Sequence, residues 1–310
     1  MVSTIAAHRI GLVGAGIASS LSPALHEREA AELGLTGYRY ELLDLDALSV
    51  PVEDTAEFVR DAVREGYTGL NITHPCKQLV VPTLDELSDN ARLLGAVNTV
   101  VVRDGRLIGH NTDHSGFLTA LQRGLPGAAL DSVLLVGAGG AGSAVAYALG
   151  AAGVRELRIS DVDPARAADV CARVAATFPA ASVTPVTAPD VATVLRTCRG
   201  VVNATPIGMT GHLGTPFDTA ALRCDQWVAD IVYRPLRTEL LTTAMELGCD
   251  VLDGGQMLVA QAADTFALLT GVTPDASRMR RHLDELIEQR DLAAATAAGP
   301  AALPTTEEIR

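Results

Sequence analysis

Two polar turns carry the residue types that an alcohol–ketone interconversion requires. Gly69-Leu70-Asn71-Ile72-Thr73-His74-Pro75-Cys76-Lys77 ends in a lysine, and Gly109-His110-Asn111-Thr112-Asp113 ends in an aspartate, each after an apolar run. A lysine partly desolvated beside a carboxylate can give and take a proton near neutral pH, as the oxidation of an alcohol demands. Read alone, Lys77 is also compatible with a solvated surface lysine, and Asp113 with the N-cap of the helix that follows.

A second chemistry lies further on. Val133-Leu134-Leu135-Val136 runs straight into Gly137-Ala138-Gly139-Gly140-Ala141-Gly142 and an alanine-rich segment. G-x-G-x-x-G alone is a weak signal, but a strand before it and a helix after it give it meaning as a dinucleotide loop. The first glycine allows a tight turn, the second lets a pyrophosphate approach the backbone, and the third lets helix and strand pack closely. Phosphate then sits at the helix N-terminus, so residues 137–142 are the expected cofactor-binding loop. Asp161 lies 161 − 142 = 19 residues beyond the last glycine, at the end of Leu157-Arg158-Ile159-Ser160. A carboxylate there accepts from both ribose hydroxyls and repels a 2′-phosphate, so NAD is expected rather than NADP. Asp161 could instead cap the helix opening at Pro164, a role that Asp163 fits better. Arg158 and Arg166 are the nearby residues that could reach a phosphate.

These residues need elements to position them. Ile10 to Val13 reads as a strand, Ala24 to Leu33 as a helix, Tyr38 to Leu45 as a strand, Thr55 to Glu65 as a helix and Gly69 to Ile72 as a strand. Ala96 to Val102 with Arg106 to Ile108 predicts a hairpin turning at Asp104-Gly105. Asp113 to Leu125 has helical spacing. Short apolar strands recur at Val133 to Val136, Glu156 to Ser160, Gly200 to Asn203, Trp227 to Ile231 and Asp250 to Asp253, with helical segments between them, and Gln256 to Gly271 is helical again. The fold class is α/β with two domains: an N-terminal α/β domain over residues 1–112 and a doubly wound parallel Rossmann domain over 113–255. C-terminal helices over 256–290 complete the first domain. The apolar pattern fades after Leu286, and residues 291–310 predict a disordered tail.

Composition narrows the partners. A chain of 310 residues with 48% hydrophobic and 20% charged residues can bury substantial cores. A net charge of −13, with 24 Lys+Arg, argues against nucleic-acid or anionic-membrane partners, so an anionic ligand must be met by a few placed donors. Cys76, Cys171, Cys198, Cys224 and Cys249 are odd in number and lack C-x-x-C spacing, which points away from a disulfide framework or zinc site and toward a reducing cytoplasm. The segment Met1 to Arg9 does not read as a secretory signal, and the most apolar stretch, Val133 to Ala152, is broken by its glycine loop. His110 and His114 have metal-ligand spacing. His114 is nevertheless expected to face solvent on a first helical turn and no third ligand is evident, so no metal is expected.

The motifs also form a longer pattern. Ser20-Leu21-Ser22-Pro23-Ala24-Leu25-His26, the lysine turn, Gly95-Ala96-Val97-Asn98-Thr99, the aspartate turn, the glycine loop, Asn203-Ala204-Thr205-Pro206-Ile207-Gly208-Met209 and Gly254-Gly255-Gln256-Met257-Leu258-Val259-Ala260-Gln261 follow in order. Over about residues 10 to 285 the chain resembles the shikimate dehydrogenases, most nearly the NAD-linked quinate/shikimate dehydrogenases. The resemblance implies that Lys77 and Asp113 are the catalytic pair, Lys77 taking the proton as the C3 hydroxyl of shikimate becomes the ketone of 3-dehydroshikimate. It implies that Ser20 and Ser22, helped by Tyr233, hold the substrate carboxylate, and that Thr73, Asn98 and Gln261 meet ring hydroxyls. Asn203, Ala204, Thr205, Pro206 and Met209 would wall the nicotinamide, with Val232, Gly255 and Met257 also on the cofactor. Plainer roles stand beside these: Ser22-Pro23 as a helix start, Asn98 as a buried turn amide, and the methionines as core.

NADP-linked members usually carry Asn-Arg-Thr where this chain has Asp161-Val162-Asp163, and quinate users often have threonine where it has Ser22. The implied function is therefore NAD-dependent oxidation of shikimate by a monomer or homodimer, with quinate or an amino-shikimate as alternative substrates. A non-catalytic NAD-binding redox sensor is the reading from a different class, and the presence of both Lys77 and Asp113 speaks against it. Gly255 and Asp113 are expected to flank hinges of domain closure.

Overall fold

The computed structural model describes residues 8–297. Six strands form the first sheet: β1 (His8–Gly14), β2 (Tyr38–Asp44), β3 (Gly69–Ile72), β4 (Glu86–Leu87), β5 (Thr99–Arg103) and β6 (Arg106–His110), in the order β2-β1-β3-β5-β6-β4. β1 pairs in parallel with β2 and β3, whereas β5 runs antiparallel to β3 and β6. The expected β5–β6 hairpin turns at Asp104 and Gly105, with φ of 51° and 75°, the left-handed pair that a two-residue turn between twisted strands requires.

The second sheet contains β7 (Ser132–Val136), β8 (Glu156–Ser160), β9 (Ser182–Val186), β10 (Gly200–Asn203), β11 (Trp227–Asp230) and β12 (Asp250–Leu252). Its order is β12-β11-β10-β7-β8-β9 and every pairing is parallel. The chain therefore starts in mid-sheet and reverses between β7 and β10, the switch point where doubly wound sheets take their ligands. Val136 and Asn203, which end those strands, lie in register, so the glycine loop and the Asn203–Met209 loop emerge side by side. Alternate residues fill the two faces: Val133, Leu135, Leu157 and Ile159 enter one core, and Leu134, Val136, Val201 and Val228 the other.

The helices are α1 (Ser22–Glu32), α2 (Leu45–Leu48), α3 (Thr55–Arg64), α4 (Asp89–Leu94), α5 (Thr112–Gly124), α6 (Gly140–Ala151), α7 (Pro164–Thr177), α8 (Val191–Leu195), α9 (Glu239–Leu247), α10 (Gly254–Thr270) and α11 (Ala276–Ala297). α5 and α10 pack almost backbone to backbone, since a Cβ on Gly116 would lie 2.7 Å from Gln261 Cβ and 2.9 Å from its amide nitrogen. α10 belongs to both halves. Met257 near its start packs with the second sheet's core, while Phe266 and Leu269 pack with Ile10, Leu12, Tyr38, Tyr40 and Val101. α11 is tied to α1 by Arg278 Nη2 at 2.6 Å from the fully buried Glu29.

The tail expectation needs correction. α11 continues to Ala297, so residues 291–297 are helical, and the rest of that segment, like residues 1–7, lies outside the described residues. Among the described residues no helix is long and apolar enough to cross a membrane.

Candidate active site

Lys77 sits in the turn that leaves β3. Thr73 N donates to Val13 O at 2.9 Å, Cys76 N to Thr73 O at 2.8 Å, and Lys77 O accepts from Val97 N at 2.8 Å, so backbone bonds to β1 and to the segment before β5 fix where the lysine emerges. Its Nζ lies 2.5 Å from Asp113 Oδ2, with 20% of the lysine side chain and 10% of the aspartate side chain exposed. Asp113 does not cap α5. Asn111 does, its side chain accepting from Asp113 N at 3.1 Å and His114 N at 3.4 Å, which leaves the Asp113 carboxylate free to face Lys77.

Asn98 was expected to bind a ring hydroxyl, but its amide is committed elsewhere. Its Nδ2 donates to Thr112 Oγ1 at 2.8 Å and to Asp113 Oδ1 at 3.0 Å, and its Oδ1 accepts from Thr112 N at 2.8 Å and Thr99 Oγ1 at 3.1 Å. This buried amide holds the aspartate. Gln261 Oε1 lies 3.4 Å from Thr112 Oγ1, which places α10 beside the same turn.

Ser20 and Ser22 lie together at the head of α1, Ser22 N donating to Ser20 Oγ at 3.2 Å. Leu21 takes the N-cap position without a side-chain bond and Ser22 is already helical, so the capping role does not apply to Ser22. Neither serine hydroxyl donates a hydrogen bond among the described residues, and both serines are half-buried. The neighbouring Ser19 carbonyl accepts from Arg234 Nη1 at 3.2 Å and from Arg290 Nη1, drawing the segment after β11 and the end of α11 onto this loop. Burial pushes the Tyr233 phenol above its ordinary value, against the charges of Arg234 and Arg290. Thr73 is half-buried, with its methyl against Gly14, where a Cβ would come within 2.5 Å.

The glycine loop fits a pyrophosphate. Gly137 has φ +103° and its Cβ would meet Ala204 O at 2.6 Å; a Cβ on Gly142 would lie 2.0 Å from Gly137 O. At Gly139 and Gly140 a Cβ would meet nothing within 4 Å, and the N-terminus of α6 has no side-chain cap, so first-turn N–H groups face open space. Ala138 and Asp161 depart from the expected arrangement. Ala138 N donates to Asp161 Oδ2 at 2.7 Å, while Asp161 Oδ1 accepts from Asp163 N at 2.9 Å and lies 3.4 Å from Arg166 Nη1. The carboxylate, 7% exposed, braces the loop as well as ending β8. Asp163 is the N-cap of α7, as its position suggested.

Several expected nicotinamide contacts are packed into protein instead. Asn203 is fully buried, its Nδ2 donating to Ile207 O and Asp230 Oδ1 at 3.0 Å each, and its Oδ1 accepting from Thr205 N at 2.9 Å and Oγ1 at 2.7 Å. It shapes the loop from behind. Val232 is buried, with its N–H on Asp230 Oδ1 at 3.0 Å. Gly255 abuts Leu236 and Asp253, and Met257 is core. Ala204 and Thr205 are half-buried, whereas Pro206 and Met209 are exposed, Met209 to 38%, and can face a ligand.

Asp230 was not singled out from the sequence. It is 1% exposed, burial raises its carboxyl to about 6, and hydrogen bonds from Val232 N, Thr238 Oγ1 and Asn203 Nδ2 oppose that rise. A single Asp at the end of an apolar strand was the available signal. His114 was expected in solvent but is half-buried, and burial lowers its pKa. Among the described residues no group of three or more His, Cys, Asp or Glu could hold a metal ion.

A family model described as "Shikimate dehydrogenase substrate binding domain" matches residues 12–100. The "Shikimate dehydrogenase (NADP(+))" of Arthrobacter sp. (strain FB24) is 53% identical over 285 residues, covering 92% of this chain and 97% of that protein. The "Quinate/shikimate dehydrogenase (NAD(+))" of Corynebacterium glutamicum (strain R) is 47% identical over 272 residues, covering 87% and 96%. The solved structure of quinate dehydrogenase from Corynebacterium glutamicum in complex with NAD superposes with a TM-score of 0.84 at 44% identity, covering 90% of this chain and 99% of that one. Sheet order, glycine loop and lysine–aspartate turn pair thus accompany similarity along nearly the whole length, and the chain belongs to the shikimate dehydrogenase family.

Proposed function

We propose that the protein is an NAD-dependent shikimate dehydrogenase that reversibly oxidises the C3 hydroxyl of shikimate to 3-dehydroshikimate. The observation that carries this reading is the 2.5 Å contact of Lys77 Nζ with Asp113 Oδ2 in a largely buried pair. Lys77 takes the hydroxyl proton in oxidation and returns it in reduction, and Asp113 orients the lysine and stabilises its charged form. A nicotinamide bound at the glycine loop supplies the hydride acceptor. Ser20 and Ser22, with Tyr233, receive the carboxylate; two neutral hydroxyls suffice for an anion when the site is preorganised and dry. Thr73 and Gln261 meet ring hydroxyls, while Asn98 acts through Asp113. The complete pair argues against a non-catalytic sensor.

The NAD preference rests on Asp161. A buried carboxylate at the end of β8 disfavours a 2′-phosphate, and Arg166, half-exposed and 3.4 Å away, offsets that charge only in part. Gly139, Gly140, Ala141 and Gly142 would hold the pyrophosphate. The five cysteines are unpaired, which supports a reducing cytoplasm, and a monomer or homodimer completes the proposal.

A second reading makes quinate the main substrate, favoured by the similarity to the quinate dehydrogenase of Corynebacterium glutamicum. Initial rates with shikimate and quinate, each offered NAD and NADP, test both readings against a Lys77→Ala control. Turnover of shikimate with NAD, abolished in the control, is the expected result. A faster quinate rate would install the second reading, and silence in all four pairs would sink both.

A further inference from the structure

Asp113 is held in place by a closed ring of hydrogen bonds that reaches into a different part of the chain. The orientation of Asn98 follows from its neighbours: exchanging its oxygen and nitrogen would set an N–H against Thr112 N–H and an oxygen against the Asp113 carboxylate. With Asn98 so fixed, Thr99 must donate its single hydroxyl proton to Asn98 Oδ1, at 3.1 Å. The 3.0 Å contact between Thr99 and Thr265 is then donated by Thr265, and the 2.9 Å contact between Thr265 and Thr112 by Thr112, whose single proton goes to this nearer oxygen rather than to Gln261 Oε1 at 3.4 Å. Thr112 Oγ1 in turn accepts from Asn98 Nδ2 at 2.8 Å. All four bonds run in one sense, from Asn98 to Thr112, Thr265, Thr99 and back to Asn98. Each member polarises the next, as in other hydrogen-bond chains.

We propose that Thr265, in the middle of α10, is a positioning residue for proton transfer: its hydroxyl closes the ring that aims Asn98 at Asp113 Oδ1 and so presents Oδ2 to Lys77. This rests on the reading of Lys77 and Asp113 as the proton-transfer pair. Thr265 is fully buried and stands 153 residues beyond Thr112, whereas the other three ring members lie between positions 98 and 112. Removing its hydroxyl takes an acceptor from Thr112 and a donor from Thr99. The remaining acceptor near Thr112 is Gln261 Oε1 at 3.4 Å, so the Thr112 hydroxyl turns toward the substrate side and the ring opens.

The test is a double-mutant cycle on kcat, with melting temperature and the KM for the nicotinamide cofactor followed in parallel. Thr265→Val should lower kcat about tenfold, because a small misplacement of a catalytic group is costly, and should leave the cofactor KM in place. Thr265→Ser, which restores the hydroxyl, should recover most of that loss. In an Asp113→Asn background the same Thr265→Val change should cost less than about twofold, since residues acting through one group are not additive. Should Thr265→Val fail to fold, Thr265→Ala carries the same comparison with a smaller side chain. Equal losses in both backgrounds, a serine variant no better than valine, or an unaltered kcat in the folded hydroxyl-free variant would each overturn the proposal. The underlying reading fails separately, by an inactive parent protein or an undiminished Lys77→Ala rate.

Discussion

Ala138 N donates to Asp161 Oδ2 at 2.7 Å, so one carboxylate both ends β8 and braces the glycine loop. Its charge and its role as an acceptor are separable. Asp161→Asn keeps an oxygen for Ala138 and removes the charge. The KM for NAD should rise about tenfold, the scale of a hydrogen bond to a charged group, while the KM for NADP stays level or falls. Initial rates over a cofactor series check this; parallel changes for both cofactors would mean that the charge does not discriminate.

Lys77→Ala should lower kcat by about 10²–10⁴-fold, the usual contribution of a positioned acid–base group, without changing NAD affinity. Rates together with the NAD dissociation constant from fluorescence titration separate the two quantities. A change confined to KM would assign Lys77 to binding alone.

Gly142→Ala places a methyl group against backbone, 2.0 Å from Gly137 O, where no side chain can yield. The expected cost is about 1–3 kcal/mol of stability, read as a lower urea midpoint, together with weaker NAD binding as the loop is displaced. A variant of unchanged stability and cofactor affinity would refute the tight loop packing.

Asp230 gives a pH signature of definite sign. Its carboxyl titrates at about 6 in the folded protein against 3.8 as the ordinary value, so the folded state binds the proton more tightly than the unfolded chain. Its contribution to stability is fully present below the ordinary value and is lost as pH rises through about 6. Between pH 4 and 7 the parent protein should therefore lose up to about 3 kcal/mol relative to Asp230→Asn, by the linkage of pKa to free energy. Urea unfolding of both proteins across that range measures it, and parallel pH curves would contradict the assignment.

Arg234 and Arg290 converge on the Ser19 carbonyl, beside the two serines taken to receive a carboxylate. Arg290→Gln should raise the KM for shikimate about threefold, consistent with a partly exposed charge, and the difference from the parent should shrink at high salt. A salt-independent change would point to loop geometry rather than charge.

The elements that the sequence made legible are those with strong periodicity or strong turn chemistry. The hairpin at Asp104-Gly105 follows from two residues that tolerate positive φ, and the parallel pairing of β7, β10 and β11 follows from apolar runs buried on both faces. β4 escaped because two residues carry no period, and β9 because it is a mostly exposed edge strand containing Pro185. Lys77 and Asp113 were legible from the turns that end in them. For Asn98 and Met257 the sequence leaves a ligand role beside a buried one, and for Asn203 it offers a ligand role; all three are bonded or packed among protein neighbours, and a sequence names the polar or apolar group without showing which neighbours have claimed it. Asp230 and Thr265 were missed for the same reason, since their partners lie in other elements.

α10 sets an order on the making of this molecule. One apolar face of the first sheet, including Ile10, Leu12, Tyr40 and Val101, packs against Phe266 and Leu269, which reach it only after the whole second sheet has been translated. A ribosome-bound chain must therefore keep its earliest strands open while a later domain completes itself, the reverse of simple N-to-C assembly. Nascent-chain aggregation and chaperone demand should consequently peak before residue 270 emerges.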